Sequence, residues 1–171
     1  ETVGSIVLAV GWKPYDATKL TDWGYGSVKD VVTNIEFEQM AKDGKVQKPS
    51  DEGEIETVAF IQCAGSRDAD HLPYCSTVCC GVSMKQALYV TDENEDAKVY
   101  VLYKDIRTPG QWEKYYQTAQ KNGVMFVKSE VKSVAEGDDG GAVITVRDVL
   151  QDEDLEIEVD LVVLATGMVP T

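Results

Sequence analysis

Short apolar runs separated by polar, glycine-rich stretches set the rhythm of this chain. SIVLAVG (5–11) is nearly continuous, partly β-branched, and closed by a glycine before Trp12, Lys13 and Pro14, which predicts a buried strand. Residues 15–34 keep no period and predict an irregular connection. Asn34 can cap a short helix over IEFEQMAKDG, with Ile35, Phe37 and Met40 on one face and Gly44 as its stop. The polar stretch KVQKPSDEGEIE (45–56) then reads as a surface loop. TVAFIQC (57–63) is the next buried strand, and a helix follows from Ser76 or Cys79 onward. KVYVLYKDI (98–106) predicts a third strand. TPGQWEKYYQTAQKNG (108–123) predicts a helix with Thr108 as cap, Pro109 at its first position and Gly123 as its stop. Three further runs, VMFVKSEVKSVAEG, GAVITVRDVL and DLEIEVDLVVLATG, read as strands joined by Gly and Asp turns. The order strand, helix, strand, helix, several strands predicts a three-layer α/β domain with an antiparallel meander.

The run at 5–14 has an echo. SIVLAVGWKP (5–14) and LVVLATGMVP (161–170) align without gaps and share Val, Leu, Ala, Gly and Pro at corresponding places. Two ordinary buried strands can look alike by coincidence. A chain that leaves one nucleotide-binding sheet, builds a second and returns would also show this pair, and that reading is preferred.

With 171 residues, 43% apolar and 27% charged, the chain is globular and sized for one core. No apolar run reaches the length of a membrane span. The net charge of -14 argues against nucleic acid or anionic lipid as direct partners. Its acidic runs, 92–96, 136–139 and 151–158, read as solvated turns and a strand edge. A first residue of Glu1 and a last strand running straight into Pro170 and Thr171 lead us to expect a piece of a longer protein.

The chemistry is concentrated in one place. All four cysteines, Cys63, Cys75, Cys79 and Cys80, lie between residues 63 and 80, on a predicted loop between a strand end and a helix start. Four thiolates suit an iron–sulfur cluster or a structural zinc ion. Disulfides or free thiols remain open, although adjacent Cys79 and Cys80 pair poorly with each other. Zinc sites usually use spaced pairs, so spacing favours the cluster over zinc. At this strand end a nucleotide-binding domain would carry G-x-G-x-x-G, but the chain reads Q-C-A-G-S-R with only Gly65, which argues against nucleotide binding there. Asp105 occupies the place of a ribose-binding acid and is read instead as a loop-bracing carboxylate. Arg67, Asp68, His71 and Arg107 can frame the site, with Arg67 or Arg107 offsetting cluster charge; the alternative for each is an ordinary loop salt bridge. His71 is read as a surface residue, and Trp12, Trp23 and Trp112 as packing anchors.

The strings IQCAGSRD, PYCSTVCC with MKQA just after it, YKDIRTPG and the closing DLVVLATGMVPT together resemble the A subunit of heterodisulfide reductase and the related flavoprotein subunits of the quinone-interacting membrane-bound oxidoreductase complex of sulfate reducers. The resemblance covers essentially the whole chain. It implies a thioredoxin-reductase-like, NAD(P)-binding-type (Rossmann-like) domain inserted into an FAD domain. Residues 1–14 would be strand and crossover from that FAD domain, 15–56 a connecting segment, 57–160 the inserted domain and 161–171 the return strand. It further implies one [4Fe-4S] cluster on Cys63, Cys75, Cys79 and Cys80, and an FAD site in the full protein whose edge includes Gly11 and Gly167. The implied function is electron relay between flavin and other subunits of a redox complex, in the cytoplasm, with membrane association only through those subunits. The competing expectations are a zinc-stabilised or cluster-free docking scaffold and an NAD(P)H-binding reductase domain.

Overall fold

The computed structural model describes residues 2–138 and 140–171. Four parallel strands form its centre: β2 (Val31–Thr33), β3 (Thr57–Ala64), β4 (Lys98–Tyr103) and β8 (Leu161–Thr166), with the first part of β5 (Met125–Glu136) continuing the sheet beyond β4. The strand order is β2-β8-β3-β4-β5-β6-β7, where β6 (Ala142–Asp148) and β7 (Glu153–Val159) complete an antiparallel meander. β5 pairs with β4 as far as Lys128 and with β6 from Ser129 onward, and a register shift between Val131 and Ser133 marks a bulge within that meander.

The continuous apolar runs of β3 and β8 follow from burial on both faces. Val58, Phe60, Leu161 and Val163 pack with Phe37, Ala87, Val90 and Ala119, which belong to the helices α1 (Asn34–Lys42), α2 (Cys79–Glu93) and α3 (Glu113–Lys121). The alternate residues Ala59, Ile61, Val162 and Leu164 pack on the other face with Val134, Ile144 and Val146 of the meander. Helices, parallel sheet and meander make three layers, so the meander expected as an attachment to a three-layer domain is itself the third layer. Phe37 and Phe60 meet edge to face at 5.5 Å, fixing α1 on the sheet.

Several boundaries differ from the sequence reading. Residues 5–11 form no strand, and Ile6, Val7 and Leu8 are 79–89% exposed. A strand needs a partner for its N–H and C=O groups, and this segment meets none until β1 (Trp12–Pro14) pairs antiparallel with β9 (Met168–Pro170), Trp12 opposite Pro170. The two echoed segments therefore touch at their ends. The stretch 15–34 is less irregular than expected: two 3-10 turns (Ala17–Lys19 and Thr21–Trp23) lead to β2, whose three residues are too few to show a period. Thr33, rather than Asn34, caps α1, in a reciprocal box with Glu36. Pro109 precedes a 3-10 turn (Gly110–Trp112), so α3 starts later than Thr108. Gly123 ends it in the left-handed conformation expected of a stop. The run at 92–96 lies at the end of α2, and most of the run at 151–158 lies in the edge strand β7 (Glu153–Val159); Asp139 of the run at 136–139 lies outside the described residues.

Candidate metal centre

The parallel strands end at one rim, and the cysteines are there. β3 closes with a bulge: its pairing with β8 shifts between Ile61 and Ala64, and Cys63 between them takes a left-handed φ of 57°. Such a bulge re-aims one side chain at a strand end. The loop that follows folds back on itself through Leu72 N–H to Gly65 O (2.9 Å), Asp68 N–H to Leu72 O (3.0 Å) and Arg67 N–H to Tyr74 O (3.0 Å). It then runs through Cys75 and Thr77 into α2, whose first two residues are Cys79 and Cys80. Thr77 has a φ of 70°, a costly state for a β-branched residue. Together with Cys63 and Arg67, it places three of the five left-handed non-glycine residues among those described within this segment, the concentration of strain typical of functional loops.

Three of the sulfurs are tied to the main chain. Cys79 Sγ donates to Thr166 O at the end of β8 (3.6 Å), Cys80 Sγ accepts from Arg107 N–H in the loop after β4 (3.4 Å), and Cys75 Sγ accepts from Thr77 N–H (3.3 Å). Cys63, Cys79 and Cys80 are buried and Cys75 half-buried; all four are free thiols. Burial pushes the Cys79 thiol up to about 12, with the charges of Cys80, Cys63 and Cys75 adding to the effect. Burial also raises Cys63, against the pull of the Arg67 guanidinium, and Cys80, against the Arg107 N–H. With protein atoms alone these thiols hold their protons; a cation would be needed to make them thiolates.

No helix cap is spent on α2: Val78 precedes it without a side-chain bond, so the positive end of the helix faces the cysteines. Nearby polar atoms are also unpaired. Ser66 Oγ, Arg67 Nη1 and Ser83 Oγ are buried without a hydrogen-bond partner, and Ser83 lies one turn after Cys79 and Cys80 on the same helix face. Buried donors are normally satisfied. Four free thiols match an iron–sulfur cluster in ligand number and type, and unpaired N–H and O–H donors on the same loop and helix suit its sulfurs. They are neighbours rather than a preformed cage: among the described residues no group of three or more Cys, His, Asp or Glu side chains is placed to hold a metal ion.

The other residues singled out in the sequence divide clearly. Asp105 binds Arg67, Nη2 to Oδ2 at 2.7 Å, and is the loop-bracing carboxylate expected. His71 Nδ1 pairs with Tyr15 OH at 2.6 Å. Trp112 stacks over Gly81 in the first turn of α2, and Trp23 packs on the meander core, whereas Trp12 is 51% exposed. Asp68 turns inward on its own loop, accepting from Asp70 N–H. Gly11 lies on the exposed amino-terminal segment; Gly167, at the end of β8, is so close to Ser66 Oγ and Ser76 Oγ that no side chain fits there. Tyr15, Ser66 and Ser76 escaped the sequence reading. The ring of Tyr15 lies on Gly65, and Ser76 Oγ accepts from Met168 N–H at 2.8 Å. Only the preference of serine for loop hydrogen bonds hinted at Ser66 and Ser76. A polar cleft of ≈ 440 Å³ opens on the meander side, lined in part by Trp23, Gln62, Gly65 and Tyr103, and none of the cysteines borders it.

Solved structures with this architecture define its class. Thioredoxin reductase of T. acidophilum matches with a TM-score of 0.53 at 15% identity, over 94% of this chain and 43% of that one. L-lysine 6-monooxygenase from Pseudomonas syringae matches at 0.56 and 10%, over 84% and 41%. The domain thus has the thioredoxin-reductase-like Rossmann-type fold. No protein-family model matches the chain. It is 38% identical over 179 residues to an iron-sulfur A-type subunit of the CoB–CoM heterodisulfide reductase of Methanopyrus kandleri, covering 98% of this chain and 27% of that protein. It is 40% identical over 176 residues to the A-type subunit of the H2:CoB-CoM heterodisulfide,ferredoxin reductase of Methanothermobacter marburgensis, again covering 98% and 27%. The chain is therefore like the A-type subunits of heterodisulfide reductase over nearly its whole length, and it spans about a quarter of the length of these curated relatives.

Proposed function

We propose that this chain is the cluster-bearing part of an electron-transfer oxidoreductase, with Cys63, Cys75, Cys79 and Cys80 as the ligands of one [4Fe-4S] cluster. The observation that carries the reading is the gathering of all four unpaired thiols at the carboxyl ends of the parallel strands, where an α/β sheet binds its ligand. A relative named as an iron-sulfur protein supports it. When bound, such a cluster exchanges single electrons with a neighbouring redox group. The chain's own residues would hold it at the positive end of α2, supply main-chain N–H groups to the sulfurs, and bury the cluster against β8.

The redox neighbour in this reading is FAD in the parent protein, next to the crossover where β1 meets β9. Gly11 and Gly167 lie beside that crossover, and residues 1–14 and 161–171 would be the two passages between an FAD domain and the inserted domain 57–160. The exposed apolar side chains of Ile6, Val7 and Leu8 suit a strand whose partner lies in that domain. Partners would be other subunits of a redox complex, since the relatives are named as subunits. A cytoplasmic location belongs to the same reading; among the described residues no helix is long and apolar enough to cross a membrane. The nucleotide-domain alternative is less favoured because Tyr15 fills the space over Gly65, where a pyrophosphate would need close backbone approach. Iron content of four single Cys-to-Ser variants of the anaerobically purified parent tests the ligand set. Each variant is expected to lose iron or change the cluster signal, and retention of an unaltered cluster in all four refutes it.

A further inference from the structure

Arg67 is held twice and satisfied once. Its backbone, left-handed at φ 58°, is pinned by the N–H bond to Tyr74 O, and the bridge between Ser66 and Leu72 closes the same loop. Its Nη2 is fixed on Asp105 Oδ2 at 2.7 Å. Asp105 also has Lys128 Nζ at 4.0 Å from its other oxygen, so this carboxylate sits between two cations. The remaining terminal nitrogen, Nη1, is buried and has no partner. The Arg67 guanidinium lies beside Cys63, where its charge and a side-chain contact to that sulfur favour the thiolate, and Nη1 has no oxygen or nitrogen partner. Arg107 serves the neighbouring sulfur, with its main-chain N–H on Cys80 Sγ and its charge favouring that thiolate.

A cationic donor held against a cluster sulfur stabilises the more negative state, and so makes the cluster easier to reduce. The planar fork of arginine can do this while its other arm is engaged by a carboxylate; a lysine ammonium has no second arm. We propose that Arg67 is a positioning residue of the redox centre: Asp105 anchors one arm of its guanidinium so that the other donates to the sulfur shell at Cys63 and raises the cluster's reduction potential. The inference rests on the cluster reading above, and Asp105 becomes part of the site rather than a surface carboxylate.

The experiment is a potentiometric titration of the full-length parent under anaerobic conditions, following the reduced-cluster EPR signal that a Cys75→Ser variant loses. Arg67→Met is expected to shift the midpoint downward, Arg67→Lys to shift it by a smaller amount in the same direction, and Asp105→Asn to lower it as well by releasing the anchor. The last arm separates positioning from bulk charge, because deleting a negative charge without a positioning role would raise the midpoint. Iron content is measured alongside, so a variant that loses its cluster is recognised; Arg67→Lys and Asp105→Asn then carry the test. An unmoved midpoint in Arg67→Met, or a raised one in Asp105→Asn, overturns the proposal while leaving the cluster in place. If no signal of the wild-type protein depends on Cys75, the cluster reading itself has failed instead.

Discussion

Replacing Gly65 by alanine strikes the cysteine loop at its tightest point. Gly65 has a φ of 73°, and a Cβ built there would meet Cε1 and Cδ1 of Tyr15 at 2.5 and 2.6 Å. Two costs follow. A left-handed backbone costs an alanine about 1–2 kcal/mol, and forcing a methyl into an occupied contact adds about 1–3 kcal/mol. The ring cannot move aside cheaply: Tyr15 is 7% exposed, and its hydroxyl is bonded to His71. The sum, about 2–5 kcal/mol, corresponds to a loss of roughly 4–20 °C in Tm for a domain of this size. Urea denaturation followed by circular dichroism, on cluster-free chain so that metal linkage does not intrude, gives the number directly. Tyr15→Ala is the control. In that background Gly65→Ala should cost only the backbone part, about 1–2 kcal/mol, so the two substitutions should be non-additive. Equal costs in both backgrounds, or a cost in the native background below about 1 kcal/mol, would show that Tyr15 does not close over Gly65.

Three other outcomes are expected. Thr33→Ala removes the hydroxyl that accepts from Glu36 N–H and should destabilise the chain by about 0.5–2 kcal/mol in the same assay. Phe60→Ala empties a fully buried site against Phe37 and should cost about 3–5 kcal/mol. In cluster-free chain at about pH 8, iodoacetamide should alkylate half-buried Cys75 well before Cys79, because a thiol held at about 12 has almost no thiolate at that pH; mass spectrometry of digests reads the order, and early modification of Cys79 contradicts it.

What the sequence could and could not reveal follows from the range of the forces involved. β3 and β8 were legible because both faces are buried, so a strand there must be an unbroken apolar run. The same signature misled at 5–11, where the apolar side chains are present but no strand lies alongside within this chain; partner availability is not a local property. β2 was missed because Val31–Thr33 is too short to carry a period and is stabilised by pairing with β8. The cysteines announced themselves by clustering. That the Arg67 guanidinium lies beside Cys63 depended on the fold-back at Leu72 and Tyr74 and on an ion pair with a residue 38 positions away, neither of which composition encodes. Tyr15 became part of the site only through the crossover, where its N–H bonds Gly167 O at 2.8 Å.

Everything proposed for the redox centre depends on four thiols at one strand-end rim holding an iron–sulfur cluster. The decisive measurement is iron, sulfide and zinc analysis of the anaerobically purified parent protein beside a variant in which Cys63, Cys75, Cys79 and Cys80 are all serine. A difference of about four iron and four sulfide per chain is expected between the two, with no difference in zinc. Equal iron in the two proteins, or a loss of about one zinc instead, would contradict the cluster.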